Sequence, residues 1–153
     1  MLSVFRLVKG VYASDLSGNG AKLFGGRWND PGVALVYTAE SAALALAETI
    51  VHVAAEALSD LWYMMELEVD APAKTIDTLA KPTVGWNEIP PTDASTKVGK
   101  TLMEKNLLGL WVPSAVVPAN RNLLLNPGHQ HYAFVRVKSK SHFPIDPRLI
   151  RVK

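Results

Sequence analysis

Three side chains in the first third of this chain are of types that could act together on a phosphorylated ligand. They are Arg27 behind the pair Gly25-Gly26, Tyr37 in the apolar run Val33-Ala34-Leu35-Val36-Tyr37-Thr38, and Glu48 in the Ala- and Leu-rich segment after Ser41. A guanidinium keeps its charge at any physiological pH and presents a planar fork of donors that matches phosphate oxygens. The two glycines beside it let a ligand approach the backbone closely. A tyrosine ring stacks on a flat heterocycle. A carboxylate can hold a ribose hydroxyl and stabilise an oxocarbenium-like transition state by its negative charge. Phosphate, heterocycle and sugar together suggest chemistry on a dinucleotide. Each residue also has an ordinary reading: Arg27 as a surface arginine after a glycine turn, Tyr37 as a strand tyrosine packed in the core, Glu48 at the edge of a solvated helix face.

Further along, Val112-Pro113-Ser114 and Arg121-Asn122 add a hydroxyl and an amide. The prolines at 113 and 118 bracket the serine and put its hydroxyl at a defined place, on an edge strand. No Gly-x-Ser-x-Gly elbow surrounds Ser114, so an orienting or hydrogen-bonding role fits better than a nucleophile, with a purely structural serine as the alternative. His129 and His131 are a pair without a third ligand at suitable spacing, which argues against a metal site. There is neither a Gly-x-Gly-x-x-Gly nor a Walker-type loop, so nucleotide binding here is neither Rossmann nor P-loop in style.

These residues must be positioned by elements that the pattern of the chain predicts. Val4–Val8 and Val33–Thr38 read as strands, with Asp30-Pro31-Gly32 a turn between them. Ser41 is a good N-cap, and Ala42–Leu58 reads as a helix of four or five turns. Leu61–Val69 alternates as a half-buried strand. The prolines and glycine of 81–91 mark a loop, and Thr92–Asn106 reads as a helix. Trp111–Val117, Leu123–Leu125 and Tyr132–Val137 read as short strands, with Asn126-Pro127-Gly128 a turn. The expected architecture is a strand-rich α+β fold in one domain over residues 1–153.

Composition sets the frame. The chain of 153 residues is 48% hydrophobic and 20% charged, a globular balance, and its net charge of +2 does not argue for nucleic acid. It has no cysteine, which excludes disulfides and thiolate metal ligands. The N-terminus lacks a secretory pattern, and the low-charge run 41–55 holds Glu48 and His52 and is too short for a bilayer. A cytoplasmic protein without membrane or nucleic-acid partners is expected.

Several blocks together resemble the RES domain family, named for an Arg, a Glu and a Ser. They are Gly26-Arg27-Trp28-Asn29, Val36-Tyr37-Thr38-Ala39-Glu40-Ser41 leading to Glu48, Val112-Pro113-Ser114-Ala115-Val116-Val117-Pro118, Arg121-Asn122-Leu123 and Phe143-Pro144-Ile145-Asp146-Pro147. The resemblance covers essentially the whole chain. Ala119-Asn120 departs from the acidic residues usual before the Arg-Asn pair. The resemblance implies a fold similar to ADP-ribosyltransferase toxins such as diphtheria toxin. It implies NAD+ as substrate and cleavage of the nicotinamide–ribose bond. It further implies the toxin of a type II toxin–antitoxin pair, whose Xre-like helix-turn-helix antitoxin blocks the cleft. The family's catalytic residues fall on Arg27, Tyr37 and Glu48, and cofactor binding on Arg27, Tyr37, Ser114 and Asn122. Some members use phosphate as acceptor or modify a protein, so mono-ADP-ribosylation of a specific protein is an alternative. A module that binds NAD+ or a partner without chemistry is another. A homodimer or a larger toxin–antitoxin assembly is left open.

Overall fold

Alternating β-branched and aromatic residues build one mixed sheet of seven strands. The computed structural model describes residues 1–150, with the Leu58 side chain and residues 151–153 outside that description. The strands are β1 (Leu2–Lys9), β2 (Val36–Ala39), β3 (Trp62–Val69), β4 (Ile76–Thr78), β5 (Gly109–Pro113), β6 (Arg121–Leu125) and β7 (Val135–His142). They lie in the order β4-β5-β6-β2-β1-β3-β7, and each neighbouring pair is antiparallel except β4 with β5. Four short helices accompany them: α1 (Asn19–Phe24), α2 (Ala42–Ile50), α3 (Asp93–Thr96) and α4 (Val98–Glu104). The α+β class expected from the sequence is the one observed.

The sheet is nearly two sheets. β1 pairs with β3 along all eight residues from Leu2 to Lys9, and β2 pairs with β6 from Val36 to Ala39. Between β1 and β2 there is a single pair, Phe5 with Ala39. Beyond it, Arg6 to Lys9 follow β3 and leave Thr38, Tyr37 and Val36 to follow β6. A gap opens between the two halves.

One face of the sheet carries a continuous core of Val4, Val8, Met65, Leu67, Leu123 and Leu125, closed by Ala13 with Leu16 and Tyr132 packed against it. The other face is covered in two separate patches. Over one half, Leu44 and Ala45 of α2 pack on Leu7, Ala39, Trp62 and Met64. Over the other, Trp28, Leu35 and Leu102 pack on Leu110, Val112 and Leu124. The ground between the patches, above the gap, is a cleft.

Several elements differ from the sequence expectation. The helix expected over Ala42–Leu58 ends at Ile50, and a 3-10 turn follows at Ala55–Ser59. In its last turn the Thr49 hydroxyl donates back to Ala45 O at 2.8 Å, and β-branched Ile50, Val51 and Val53 follow, a combination that weakens a helix end. The helix expected over Thr92–Asn106 breaks at Lys97. There Gly99 N–H donates 2.7 Å to Trp28 O instead of continuing the ladder. The strand expected over Val33–Thr38 is Val36–Ala39, and the one expected to reach Val117 stops at Pro113, which has no N–H to donate. Ser114 therefore sits in a turn after β5, an interior strand between β4 and β6, and not on an edge strand. β3 was expected to be half-buried, but Trp62 and Met64 are also buried, under α2.

Candidate active site

The first wall of the cleft is α2. Ser41 starts it by accepting from Leu44 N–H at 3.1 Å, the expected cap. Two turns later Glu48 reaches across to the β5–β6 connection. Its Oε1 accepts from Ser114 Oγ at 2.5 Å and from Asn122 Nδ2 at 2.6 Å. The Ser114 hydroxyl also accepts from Val116 N–H at 3.1 Å and Val117 N–H at 2.9 Å, and the residue is wholly buried. Asn122 is fixed by pairing on β6 with Ala39 on one side and Val112 on the other. Two donors thus fasten one oxygen of the carboxylate, while Oε2 has no hydrogen bond to the described residues. Charge-assisted bonds of this kind are about twice as strong as neutral ones, so the orientation of Glu48 is built in.

The connection itself is held by Glu40, one residue before the α2 cap. Glu40 Oε1 accepts from Asn120 Nδ2 at 2.7 Å and from Arg121 N–H at 2.9 Å. The Asn120 amide, then Arg121, hold the Glu40 carboxyl below the usual carboxylate range.

The second wall is the turn Gly25–Asn29 with Tyr37 beneath it. The Tyr37 hydroxyl donates to Asn29 Oδ1 at 2.6 Å and accepts from Trp28 N–H at 3.1 Å. Burial pushes the phenol's pKa upward, so it stays neutral and acts through its hydroxyl proton. A Cβ on Gly26 would lie 2.7 Å from that hydroxyl oxygen, and Gly25 has a φ of 72°. The glycine pair is therefore required by the turn. Arg27 stands at the cleft, its Nη1 donating to the backbone carbonyls of Trp86 at 3.0 Å and Glu88 at 2.9 Å.

The cleft has a volume of about 1210 Å³ and is lined by Arg27, Tyr37, Glu48 and Asn122 together. Four of the five expected site residues therefore share one cavity. The fifth, Ser114, does not line it but holds Glu48 from behind. Arg6 also lines the cleft, and sequence reasoning missed it. It projects from β1 beside the gap, donates from Nη1 to Asp15 O at 3.3 Å, and has no ion pair among the described residues. Burial pushes its pKa down. The available signal was a charge in the middle of the apolar strand Val4-Phe5-Arg6-Leu7-Val8. Glu48 is the only carboxylate among the described lining residues, against Arg6, Lys9 and Arg27.

The profile of the RES domain family matches residues 3–147 of this chain. The chain belongs to the RES domain family. A RES relative, the Prs ADP-ribosylating toxin of Sphingobium sp. (strain YBL2), is 40% identical over 143 residues, covering 91% of this chain and 89% of its own length. Toxin Res of Photorhabdus laumondii subsp. laumondii is 37% identical over 155 residues, with 98% of each covered. Among solved structures, that of the M. tuberculosis MbcT–MbcA toxin–antitoxin complex superposes with a TM-score of 0.73 at 21% identity, covering 97% of this chain and 86% of that one. That likeness shows that the RES fold is shared.

Within this RES domain the departure at Ala119-Asn120 has a local reason. Asn120 donates to Glu40, and a carboxylate there would meet a like charge. His129 and His131 contact each other outside the cleft, with His131 N–H donating to His129 Nδ1 at 3.1 Å. Among the described residues no three His, Asp or Glu converge as metal ligands, and no helix is long and apolar enough to cross a membrane.

Proposed function

We propose that this chain is the toxin of a toxin–antitoxin pair and that it breaks the nicotinamide–ribose bond of NAD+. The observation that carries this reading is the Glu48 carboxylate. It is fixed at one oxygen by Ser114 and Asn122 and open at the other, in a cleft shared with Arg27 and Tyr37. The names of the relatives support the first part of this reading, a toxin.

In this mechanism Arg27 grips the pyrophosphate, and the Tyr37 ring stacks on the nicotinamide. Glu48 Oε2 accepts from a ribose hydroxyl and faces the positive charge that develops on the sugar as neutral nicotinamide departs with the bonding electrons. Capture by water then gives ADP-ribose and a proton. In this reading Ser114 and Asn122 position Glu48, and Asn122, which also lines the cleft, is within the space the cofactor would occupy.

A second reading, transfer of ADP-ribose to a protein, is favoured by the name of the Sphingobium relative and by the apolar rim. Phe24 is 85% exposed, Ile89 89% and Val51 54%, and all three border the cleft. The same rim suits an antitoxin, which we propose is of the Xre type and covers the cleft. The deciding experiment follows NAD+, nicotinamide and labelled ADP-ribose after adding pure protein to buffer, to buffer with phosphate, and to a host lysate. Free ADP-ribose or its phosphate supports degradation, and label on one protein band supports transfer. If the pure protein and the lysate both release no nicotinamide, the proposal fails.

A further inference from the structure

A guanidinium has five N–H donors in one plane, and which of them face a ligand depends on which are already engaged. In Arg27 the two hydrogens of Nη1 have two acceptors, the carbonyls of Trp86 and Glu88. Nε and Nη2 make no hydrogen bond to the described residues. Their N–H groups form an edge that suits two oxygens of one phosphate.

The carbonyls come from a loop far away in sequence, between β4 and α3. Two internal turns shape it, Trp86 N–H donating to Thr83 O at 3.0 Å and Glu88 N–H to Gly85 O at 3.1 Å. The Trp86 ring stacks on Trp28, with centroids 5.6 Å apart and planes 17° from parallel. Trp28 is the rigid partner: its N–H reaches the Tyr37 hydroxyl, its carbonyl accepts from Gly99, and its ring is buried. The loop is thus held against the residue next to Arg27 in sequence.

We propose that Trp86 is a positioning residue for phosphate recognition. Through its stack on Trp28 it places two carbonyls that orient Arg27, so that the Nε–Nη2 edge is presented to the pyrophosphate. This inference rests on the reading of Arg27 as the residue that binds that group. The phosphates are held alike in ground and transition states, so loss of the positioning raises KM and leaves kcat in place. The expected rise is about three- to tenfold, the size associated with a ligand having to immobilise one rotamer-rich side chain itself.

The test measures kcat and KM for NAD+, inhibition by ADP-ribose and by nicotinamide, and Tm, for wild type, Trp86→Ala, Trp86→Phe and Arg27→Ala, and for the Trp86→Ala/Arg27→Ala pair. In Trp86→Ala, KM for NAD+ and Ki for ADP-ribose rise together, while kcat and the nicotinamide Ki stay within twofold. Trp86→Phe keeps an aromatic ring for the stack and behaves as wild type. In the Arg27→Ala background, Trp86→Ala adds nothing further to KM. A fall in kcat at unchanged KM, equal weakening of nicotinamide, or an additive double variant overturns the inference. Should Trp86→Ala not fold, Trp86→Leu, which fills the space without an aromatic face for the stack, replaces it: raised KM and ADP-ribose Ki at unchanged kcat support the inference, and unchanged KM overturns it. If Arg27→Ala itself leaves KM and the ADP-ribose Ki unchanged, the underlying reading of Arg27 fails instead.

Discussion

Glu48→Gln separates charge from shape at the centre of the proposed mechanism. The glutamine oxygen can occupy the place of Oε1 and still accept from Ser114 and Asn122, leaving the amide nitrogen where Oε2 faces the cleft. What disappears is the negative charge opposite the developing sugar cation, and with it the acceptor for the ribose hydroxyl, since an amide nitrogen only donates. Two unit charges about 4 Å apart at an effective dielectric of about 20 interact by about 4 kcal/mol. Solvent in the open cleft screens part of this, so about 3–4 kcal/mol is a fair figure, or a factor of about 10²–10³ in kcat. The folding cost is smaller. Two charge-assisted bonds become neutral ones, which lowers stability by at most about 2 kcal/mol and Tm by less than about 8 °C in a domain of this size. Nicotinamide release is followed by chromatography at saturating NAD+, and folding by circular dichroism. If folded Glu48→Gln releases nicotinamide within tenfold of the wild-type rate, the electrostatic role of Glu48 is wrong.

Other outcomes follow from the same geometry. Ser114→Ala removes the donor to Glu48 and orphans the Val116 and Val117 N–H groups, so chemical denaturation should show a loss of about 2–5 kcal/mol, with a fall in kcat. Tyr37→Phe keeps the ring but leaves Trp28 N–H and Asn29 Oδ1 without the hydroxyl, so stability should drop by about 1–3 kcal/mol while NAD+ turnover persists; a variant as stable as wild type contradicts the hydrogen bonds described. The pKa of Glu40 is lowered on folding, so its contribution is present above the carboxylate's unfolded pKa and is lost as pH falls through the folded value. Tm should therefore decline less steeply on acidification in Glu40→Gln than in wild type, and identical slopes would argue against the contact with Asn120 and Arg121.

Much of this was readable from the residues, for identifiable reasons. Strands with strong alternation, β1 and β3, appeared nearly at their true limits, and the Ser41 cap was correct. The end of α2 was misjudged because Ala and Leu extend the helical pattern while the stop comes from a Thr49 back-bond and from the need to turn toward β3. The break at Lys97 was invisible because Gly99 takes its acceptor from Trp28, a residue on another element. Tyr37 has its hydroxyl buried in the Arg27 turn, as the packed strand tyrosine of the ordinary reading would, and the residue also lines the cleft, a placement that strand alternation alone does not specify. Ser114 was placed on an edge because its neighbouring prolines suggested one, whereas only the pairing of β5 with both neighbours shows it to be interior. Arg6 and the Trp86 loop were missed because their meaning depends on contacts between distant segments.

The lone Phe5–Ala39 pair has one more consequence. Arg6 lies on one side of that seam, and Tyr37 and Asn122 lie on the other, so an occupant touching all three would act as a rivet between two plates that otherwise share a single fastening. Occupancy of the cavity should then show up as slowed amide exchange at the seam itself, in strand segments remote from the bond being broken.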